Sequence, residues 1–496
     1  MNNKIFIGKD FIASQYLWVI PIVDGFCKKL KIKEIVLEKR IPDNVYSLSI
    51  IKKILNDYNL IIVEDNFSLW RKYNLKYLVI LFTKFFLIFK FFLRIRKSYL
   101  LKKKYSYRSI QISHGIWDYI NYNLKEKKLK KSFFIKIISI ILSVYKLDLI
   151  NYIFNKYPNI KYAFLGHSVY QSRIALAEFR SLGVKIISQA SFNLHFQRNN
   201  KDVSWSEITL DFYKKIIKII KKKDIEVYWK KRISGRGNYE DSRLALFNKK
   251  NKYIINSNYI FLHIFKDSPF NIIDRSRIFV DYFDWVISTL NIIKKTNQNW
   301  SIRIHPSSKR WGEDQIMILN KILNDNLTLE ERKFFFIDNS YFSNIDVFKN
   351  IKKAVTFSGT AHLEIACFGI KPIVISRVSS ENINNQLFLK PKNISEYKEL
   401  LLKDSNSSIF KLNKAAIKTA KNLIFIRENI CRLKKDLNSI ELYKNDNQDI
   451  RDQEFKKVKN SLKSNIKFLF LNGFYLAAYK THTISKKYLE LILKKK

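Results

Sequence analysis

The sequence predicts an α/β protein with two lobes, each built on a mainly parallel sheet, followed by a helical tail. Short apolar runs alternate with longer segments of helical character, which is the pattern of parallel strands joined by helices. The alternation is interrupted at residues 221–251, where charged residues and the turn SGRGN intervene, and then starts again. A chain of 496 residues is also longer than a single hydrophobic core usually supports.

The first lobe is expected over residues 1–245, the second over residues 246–405 and the tail over residues 406–496. The strands expected in the first lobe are KIFIG, EIVLE, LIIVED, SIQIS, YAFLG and VKIIS. Those expected in the second lobe are YIFLHIF, SIRIHP, FFFID, AVTFS and PIVIS. The tail is basic and poor in strand patterns, and KLNKAAIKTAKNLIFIRENICRLKKDL is its clearest helical segment. No internal repeat of fixed period accompanies these elements.

The charge of the chain favours anionic partners but does not identify one. Lys and Arg number 91 against 43 Asp and Glu, for a net charge of +48, and such a field attracts phosphates, anionic lipids and nucleic acids. The lysines are spread along the chain, as in proteins of AT-rich genomes, and no nucleic-acid-binding module is recognisable. Specific nucleic-acid binding is therefore not expected, and binding that survives several hundred millimolar salt would revive this alternative.

The cysteines and the N-terminal sequence predict a cytoplasmic protein without a structural metal. Cys27, Cys367 and Cys431 are far apart and form no CxxC or Cys/His ligand spacing, so neither a zinc site nor a disulfide framework is indicated. The first residues, MNNKIFIGKDFIAS, lack the charged and apolar regions of a signal peptide.

Two apolar stretches, residues 77–97 and 132–150, resemble membrane spans without meeting the requirements. Lysines interrupt both of them, and neither has the ~20 uncharged residues that a spanning helix needs. Two interpretations stay open. The stretches can be buried helices of the first lobe, or they can lie against the anionic inner face of the cytoplasmic membrane, which the basic sequence RIRKSYLLKKKYSYR after the first stretch would favour.

The strongest candidate for ligand binding is AVTFSGTAHLEIACFGIKPIVIS, residues 354–376. It reads as a strand, the turn Ser358, Gly359 and Thr360, a helix closed by Gly369, and another strand. Small residues at a helix N-terminus leave backbone N–H groups free to bind phosphate. Glu364, one helical turn further on, could accept hydrogen bonds from ribose or sugar hydroxyls. The alternative is an ordinary helix cap with a solvated acid in the first turn.

A second candidate lies at WSIRIHPSSKRWGE, residues 300–313. A strand ends at Arg303 and leads to His305, and the proline that follows keeps the chain extended. The imidazole is therefore expected at the carboxyl edge of the sheet, where it could donate a hydrogen bond to a diphosphate. Ser307 and Ser308 supply further donors, whereas Arg303 lies in the strand and could serve packing alone.

The first lobe offers two strand ends of the same kind. His114 and Asp118, in SIQISHGIWDY, could act together as the general base that deprotonates an acceptor hydroxyl, with the carboxylate orienting the imidazole ring. The alternative is a tight turn in which His114 bonds to a backbone carbonyl. His167 also follows a strand, and Arg173 enters the next helix, where it could meet a phosphate or carboxylate.

Two weaker candidates could line the cleft. YIFLHIFKDSPF places His263 at the end of the first strand of the second lobe, followed by Lys266 and Asp267. Arg236 lies in the SGRGN turn that joins the lobes, and this turn could equally be a hinge.

Three motifs resemble bacterial capsule and surface-polysaccharide biosynthesis proteins, and more distantly CDP-glycerol glycerophosphotransferases. They are the HG at His114, the HP at His305, and the SGT…E…G.KP block of residues 358–372. The resemblance implies two Rossmann-like lobes of the GT-B type, a nucleotide-activated sugar donor in the second lobe, an acceptor at the first and no obligatory metal. By the same resemblance, His305 and the 358–360 turn would contact donor phosphate, and Glu364 the ribose or sugar.

The implied activity is transfer of a sugar from a CMP, CDP or UDP donor to a growing capsular or lipopolysaccharide glycan, carried on a lipid-linked or oligosaccharide acceptor. No cofactor is expected. Three alternatives remain: glycerol phosphate transfer from a CDP-glycerol donor, epimerisation of a nucleotide sugar, and a non-catalytic membrane-associated role in polysaccharide assembly.

Overall fold

A computed structural model gives the arrangement of much of the chain. It describes residues 3–8, 13–38, 41, 49–63, 82–94, 106–107, 110–111, 116, 133–165, 170–190, 193–197, 210–233, 256–265, 278–279, 282–306, 308–309, 312–339, 343–357, 361–376 and 383–427.

The first lobe is built on a six-stranded sheet. The strands of this lobe are β1 (Lys4–Ile7), β2 (Glu34–Leu37), β3 (Asn59–Ile62), β4 (Ser106–Tyr107), β5 (Ile110–Gln111), β6 (Ile160–Leu165), β7 (Lys185–Ala190) and β8 (Asn193–Gln197). The sheet order is β3-β2-β1-β6-β7-β8, and every pairing is parallel except that of β7 with β8. The order reverses between β1 and β6, so a topological switch point lies between the carboxyl ends of these two strands.

The sequence motif SIQIS takes a different place from the one predicted. Its residues Ile110 and Gln111 pair with β4 in a separate two-stranded antiparallel ladder and are not part of the six-stranded sheet. The antiparallel edge strand β8 was not predicted either. Short apolar runs in sequence do not reveal which partner they pair with, and this explains both differences.

The part of the first lobe that the structure describes contains five helices. They are α1 (Ala13–Leu30), α2 (Ser49–Leu55), α3 (Phe85–Arg94), α4 (Phe133–Lys156) and α5 (Tyr170–Ser181). The second apolar stretch forms α4, which is long and apolar enough to cross a membrane, but more than half of it is buried inside the lobe. Ile150 and Ile153 pack with Phe6 and Phe179, and Lys146 is buried in an ion pair with Glu38. In the structure α4 is therefore a core helix.

The second lobe contains a five-stranded, wholly parallel sheet. Its strands are β9 (Asn258–Phe261), β10 (Trp300–Arg303), β11 (Phe335–Asp338), β12 (Lys353–Thr356) and β13 (Ile373–Val374), in the order β11-β10-β9-β12-β13. Four of these strands are almost fully buried, as expected for a parallel sheet covered by helices on both faces. The order reverses between β9 and β12, so a second switch point lies there.

Several of the described helices on and around this sheet begin at polar caps that the sequence encodes. The described helices are α6 (Leu210–Ile217), α7 (Lys222–Lys231), α8 (Tyr282–Ile293), α9 (Gln315–Asn326), α10 (Leu329–Arg332), α11 (Asn344–Asn350), α12 (Ala361–Cys367), α13 (Ile394–Leu402) and α14 (Lys414–Phe425). Asp314 caps α9, and Thr328 with Glu331 forms a capping box at α10. Gly369 follows α12 with a φ of +88°, a conformation that glycine adopts without strain. This confirms the expectation that Gly369 closes the helix.

Two helices that precede residue 245 pack on the second lobe. Ile216 of α6 and Tyr228 of α7 are buried against Leu363 of α12 and against Phe425 of α14. Apolar packing thus joins residues 210–231 to the second sheet, and the lobe boundary at residue 245 stays a prediction. Helix α14 lies in the predicted tail, and it too is part of this cluster. The α/β class with two Rossmann-like lobes is confirmed.

Candidate active site at the carboxyl edge of the second sheet

The structure describes only some of the predicted site residues. Arg303, His305, Ser308 and Glu364 are described, and Arg173 lies in α5 with its side chain outside the description. The other predicted residues lie outside the described part of the chain: His114, Asp118, His167, Arg236, Lys266, Asp267, Ser307, Ser358, Gly359 and Thr360. Their roles stay predictions.

Two histidines meet at the carboxyl edge of the second sheet. The parallel register pairs Phe261 of β9 with Arg303 of β10, so two residues further along each chain His263 lies beside His305. Their ring centroids are 5.1 Å apart. Strand β9 borders the switch point of this sheet, where open α/β sheets bind their ligands. The sequence motif HP at His305 therefore occupies the expected edge, and His263, which sequence reasoning ranked low, is its immediate neighbour.

The ring of His263 is fixed by the backbone of the next residue and by an aromatic neighbour. The backbone N–H of Ile264 donates to His263 Nδ1 over 2.9 Å, so a neutral His263 carries its proton on Nε2. The ring is parallel to that of Tyr282, with centroids 5.8 Å apart. Tyr282 is itself buried in α8. The orientation of this imidazole is thus set before any ligand binds.

Glu313 and Gln315 join the two histidine-bearing segments through buried hydrogen bonds. Gln315 Nε2 donates to the carbonyl of His263 and to Glu313 Oε1, each over 2.7 Å, and Gln315 Oε1 accepts from the backbone N–H of His305. Glu313 Oε1 also accepts from the backbone N–H of Phe265. We call Glu313 and Gln315 the clamp. Nothing in the sequence marked these two residues beyond their place after the turn, and sequence reasoning missed them.

The turn after His305 is closed by the backbone. The N–H of Ser308 donates to the carbonyl of His305, and the N–H of Glu313 donates to the carbonyl of Ser308, each over 3.0 Å. Ser308 is buried. The turn therefore brings the clamp back to His305, where Gln315 bonds to the backbone N–H.

Burial keeps His305 neutral. Desolvation of this half-buried ring lowers the pKa of His305 from its ordinary 6.5 to about 3, and the nearby His263 adds to this effect. A neutral imidazole has one donor and one acceptor nitrogen. At neutral pH the ring can therefore donate a hydrogen bond to a ligand oxygen without carrying charge.

This shifted pKa predicts a pH dependence of stability. Below about pH 6.5 the unfolded chain protonates His305, whereas the folded protein leaves it neutral down to about pH 3. The unfolded state binds more protons in this window, so the free energy of unfolding falls as the pH is lowered from 6.5 towards 3. Thermal melts of wild type and His305→Gln across this range test the prediction. We expect the variant to lose less stability on acidification, and equal slopes would contradict the assignment.

Arg303, one of the predicted donor-binding residues, is occupied by another partner. Its guanidinium lies in the buried interior and is ion-paired with Asp338 at the end of β11. The parallel register places the two residues side by side. The ion pair links β10 to β11 at the carboxyl edge of the sheet, two residues before His305.

Glu364 is also engaged within the protein. Its Oε1 accepts from Arg232, which follows α7, and both side chains are largely buried. The contact joins the segment before the second lobe to the helix of the SGT block. Among the described residues no group of three or more His, Cys, Asp or Glu side chains could hold a metal ion.

Among the solved structures that are similar to this chain at low identity are the following three. The UDP-GlcNAc 2-epimerase of Methanocaldococcus jannaschii shares 12% identity over 86% of this chain and 99% of its own, with a TM-score of 0.27. A glycosyltransferase from Rickettsia africae shares 10% over 92% and 99%, with a TM-score of 0.23. Anabaena HepE, solved with UDP and glucose, shares 10% over 93% and 100%, with a TM-score of 0.27.

Searches against protein-family models and against curated protein sequences find no match. The strand order of the two sheets therefore defines the fold.

Proposed function

We propose that the protein is a glycosyltransferase that moves a sugar from a nucleotide-activated donor to a growing surface glycan, with the donor bound by the second lobe. The observation that carries this proposal is the pair His263 and His305 at the carboxyl edge of a parallel sheet, beside its switch point. Ligand phosphates bind at such edges in open α/β sheets, and here the ring of His263 and the backbone of His305 are held in place. The donor nucleotide is proposed to be CMP, CDP or UDP.

Sugar transfer requires hydrogen-bond donors at the phosphate that leaves with the nucleotide. The acceptor hydroxyl attacks the anomeric carbon, the bond from that carbon to the phosphate oxygen breaks, and the nucleotide leaves with the bonding electrons. Prearranged hydrogen-bond donors stabilise the charge that develops on the leaving oxygen. His305 is suited to this role because it is neutral at pH 7 and its backbone is held by the clamp. We propose no metal in this step.

The remaining assignments are carried by sequence position. Ser358, Gly359 and Thr360 immediately precede α12, and we propose that they contact donor phosphate. His114 and Asp118 are proposed as the base that takes the acceptor proton. The acceptor is proposed to be a lipid-linked or free oligosaccharide of a capsule or lipopolysaccharide. The described cysteines Cys27 and Cys367 are buried free thiols, which suits a cytoplasmic location.

A nucleotide panel tests the donor site. Purified protein is melted with CMP, CDP, UDP, GDP and their sugar or glycerol conjugates, alongside His305→Ala and His305→Gln. One nucleotide is expected to stabilise the wild type by about 2.7 kcal/mol at roughly 100 times its Kd. His305→Ala is expected to weaken binding about tenfold, the worth of one good hydrogen bond. His305→Gln, which keeps a neutral donor, is expected to lose less.

The outcome separates the alternatives. Stabilisation by CDP-glycerol over any CDP-sugar would favour glycerol phosphate transfer, and conversion of a nucleotide sugar without an acceptor would identify an epimerase. An unaltered glycan in cells that carry a folded His305→Ala protein would favour the non-catalytic role. If no nucleotide raises the melting temperature while DNA does, the transferase proposal fails.

A further inference from the structure

The helix α3 presents an unusual apolar surface to solvent. Phe85, Phe86, Phe89 and Leu93 on this helix are exposed, and so is Phe82 just before it. All the exposed phenylalanines in the described part of the chain belong to this group. Exposed apolar residues are common singly, but a cluster of this kind marks an interaction site. We call these five residues the aromatic face.

The aromatic face is held in place from behind. Ile88 on the opposite side of α3 is buried with Ile140, Val144 and Leu147 of the core helix α4. The rings of Phe85 and Phe89 stack with centroids 5.9 Å apart and an interplanar angle of 10°. The packing of α3 on α4 therefore fixes which side of the helix is turned outwards, and the exposed rings are arranged before any partner arrives.

The sequence on either side of α3 indicates the chemistry of the partner. Residues 71–108 contain twelve Lys and Arg and no Asp or Glu. Lys90 lies in α3 itself and is exposed beside the rings, whereas Lys84, just before the helix, lies over the ring of Tyr107. Aromatic residues beside basic ones suit the boundary between lipid headgroups and acyl chains of an anionic membrane. An acidic protein would match the charges but would leave the phenylalanines without an apolar counterpart.

We propose that the aromatic face of α3 docks the first lobe on an anionic lipid bilayer, with Phe82, Phe86 and their neighbours entering the acyl boundary and the lysines meeting the headgroups. The site is peripheral and reversible, since one short helix face buries too little apolar surface for permanent anchoring. This inference does not depend on the proposed transferase activity, because binding to vesicles can be measured without a donor or an acceptor.

Vesicle co-sedimentation of the full chain tests the proposal. Vesicles of phosphatidylcholine alone are compared with vesicles that contain about 30% phosphatidylglycerol, at two salt concentrations. The variant Phe82→Asp/Phe86→Asp changes the two most exposed rings, which are 80% and 86% exposed. Leu329→Asp is the matched control, because Leu329 is 81% exposed on α10 of the second lobe.

The wild type and Leu329→Asp are expected to bind anionic vesicles equally, and Phe82→Asp/Phe86→Asp at least about tenfold more weakly, given the transfer free energy of two phenylalanines. Equal binding by all three proteins would overturn the proposal, because charge alone would then account for it. It is also overturned if, without lipid, the double variant turns a dimer into a monomer or melts below the control, since a second copy or another part of the chain would then cover the face.

Discussion

Replacing Asp338 with alanine is expected to lower the free energy of unfolding of the second lobe by about 3–5 kcal/mol, because the variant leaves the Arg303 guanidinium buried without its carboxylate. Both side chains are almost fully buried between β10 and β11. Removing one partner of such a pair costs far more than the pair itself contributes. A lobe of this size should melt roughly 6–20 °C lower, which differential scanning calorimetry measures.

A double variant separates the pair from the charge that it neutralises. Arg303→Met/Asp338→Leu removes both charges at similar volume and is expected to recover most of the lost stability. The comparison also decides the role of Arg303. If Asp338→Ala melts like the wild type while Arg303→Met abolishes nucleotide stabilisation, the guanidinium serves a ligand and not the ion pair.

The sequence predicted much of the fold because the strands are buried on both faces. Runs such as IFI in β1 and IVL in β2 have no polar alternation, and this marks strands of a covered parallel sheet. The restart of the pattern after residue 251 correctly separated the two sheets. The turn residues also predict local structure, since Gly369 has a positive φ and closes α12 as expected.

The packing partner of a helix between the two sheets is hard to predict because it depends on contacts between residues far apart in sequence. Helix α7 carries Lys222, Lys223, Lys230 and Lys231 on its exposed positions and buries only Ile225 and Tyr228. The lysines read as a linker, whereas the two buried residues attach the helix to α12 and α14. Two apolar residues in a basic segment do not reveal which sheet they cover.

The positions of candidate residues can be predicted where they follow a strand but not where they depend on distant hydrogen bonds. The sequence places His305 at a strand end because a histidine and a proline end an apolar run, and its role stays a prediction. The clamp was missed because Glu313 and Gln315 lie beyond a turn, in a stretch with the charged pattern of a solvated helix start. Both side chains are buried because they form hydrogen bonds with the backbone of His263 and Phe265. No local sequence pattern reveals such distant partners.

Gln315 is expected to be a positioning residue for both histidines, and Gln315→Ala should weaken nucleotide binding by about 10- to 100-fold. The variant leaves the His305 N–H and the His263 carbonyl without their partner, and each unsatisfied buried group costs about 1–3 kcal/mol. Part of this cost is relieved by movement of the two segments, which displaces the rings from the ligand. Lys321→Ala, at an exposed position on the same helix α9, is the control and should bind as the wild type does.

A pH rescue distinguishes positioning from a general loss of structure. Gln315→Glu can still accept from the His305 N–H, but as a carboxylate it can donate neither to the His263 carbonyl nor to Glu313, whose Oε1 lies 2.7 Å from the present amide nitrogen. Two facing carboxylates share one proton and raise each other's apparent pKa. Nucleotide binding by Gln315→Glu should therefore be weak at pH 8 and recover in part towards pH 6, where the shared proton restores the hydrogen bond between residues 313 and 315. Isothermal titration at both pH values measures it, and a deficit that stays constant with pH would show that the clamp acts only through overall stability.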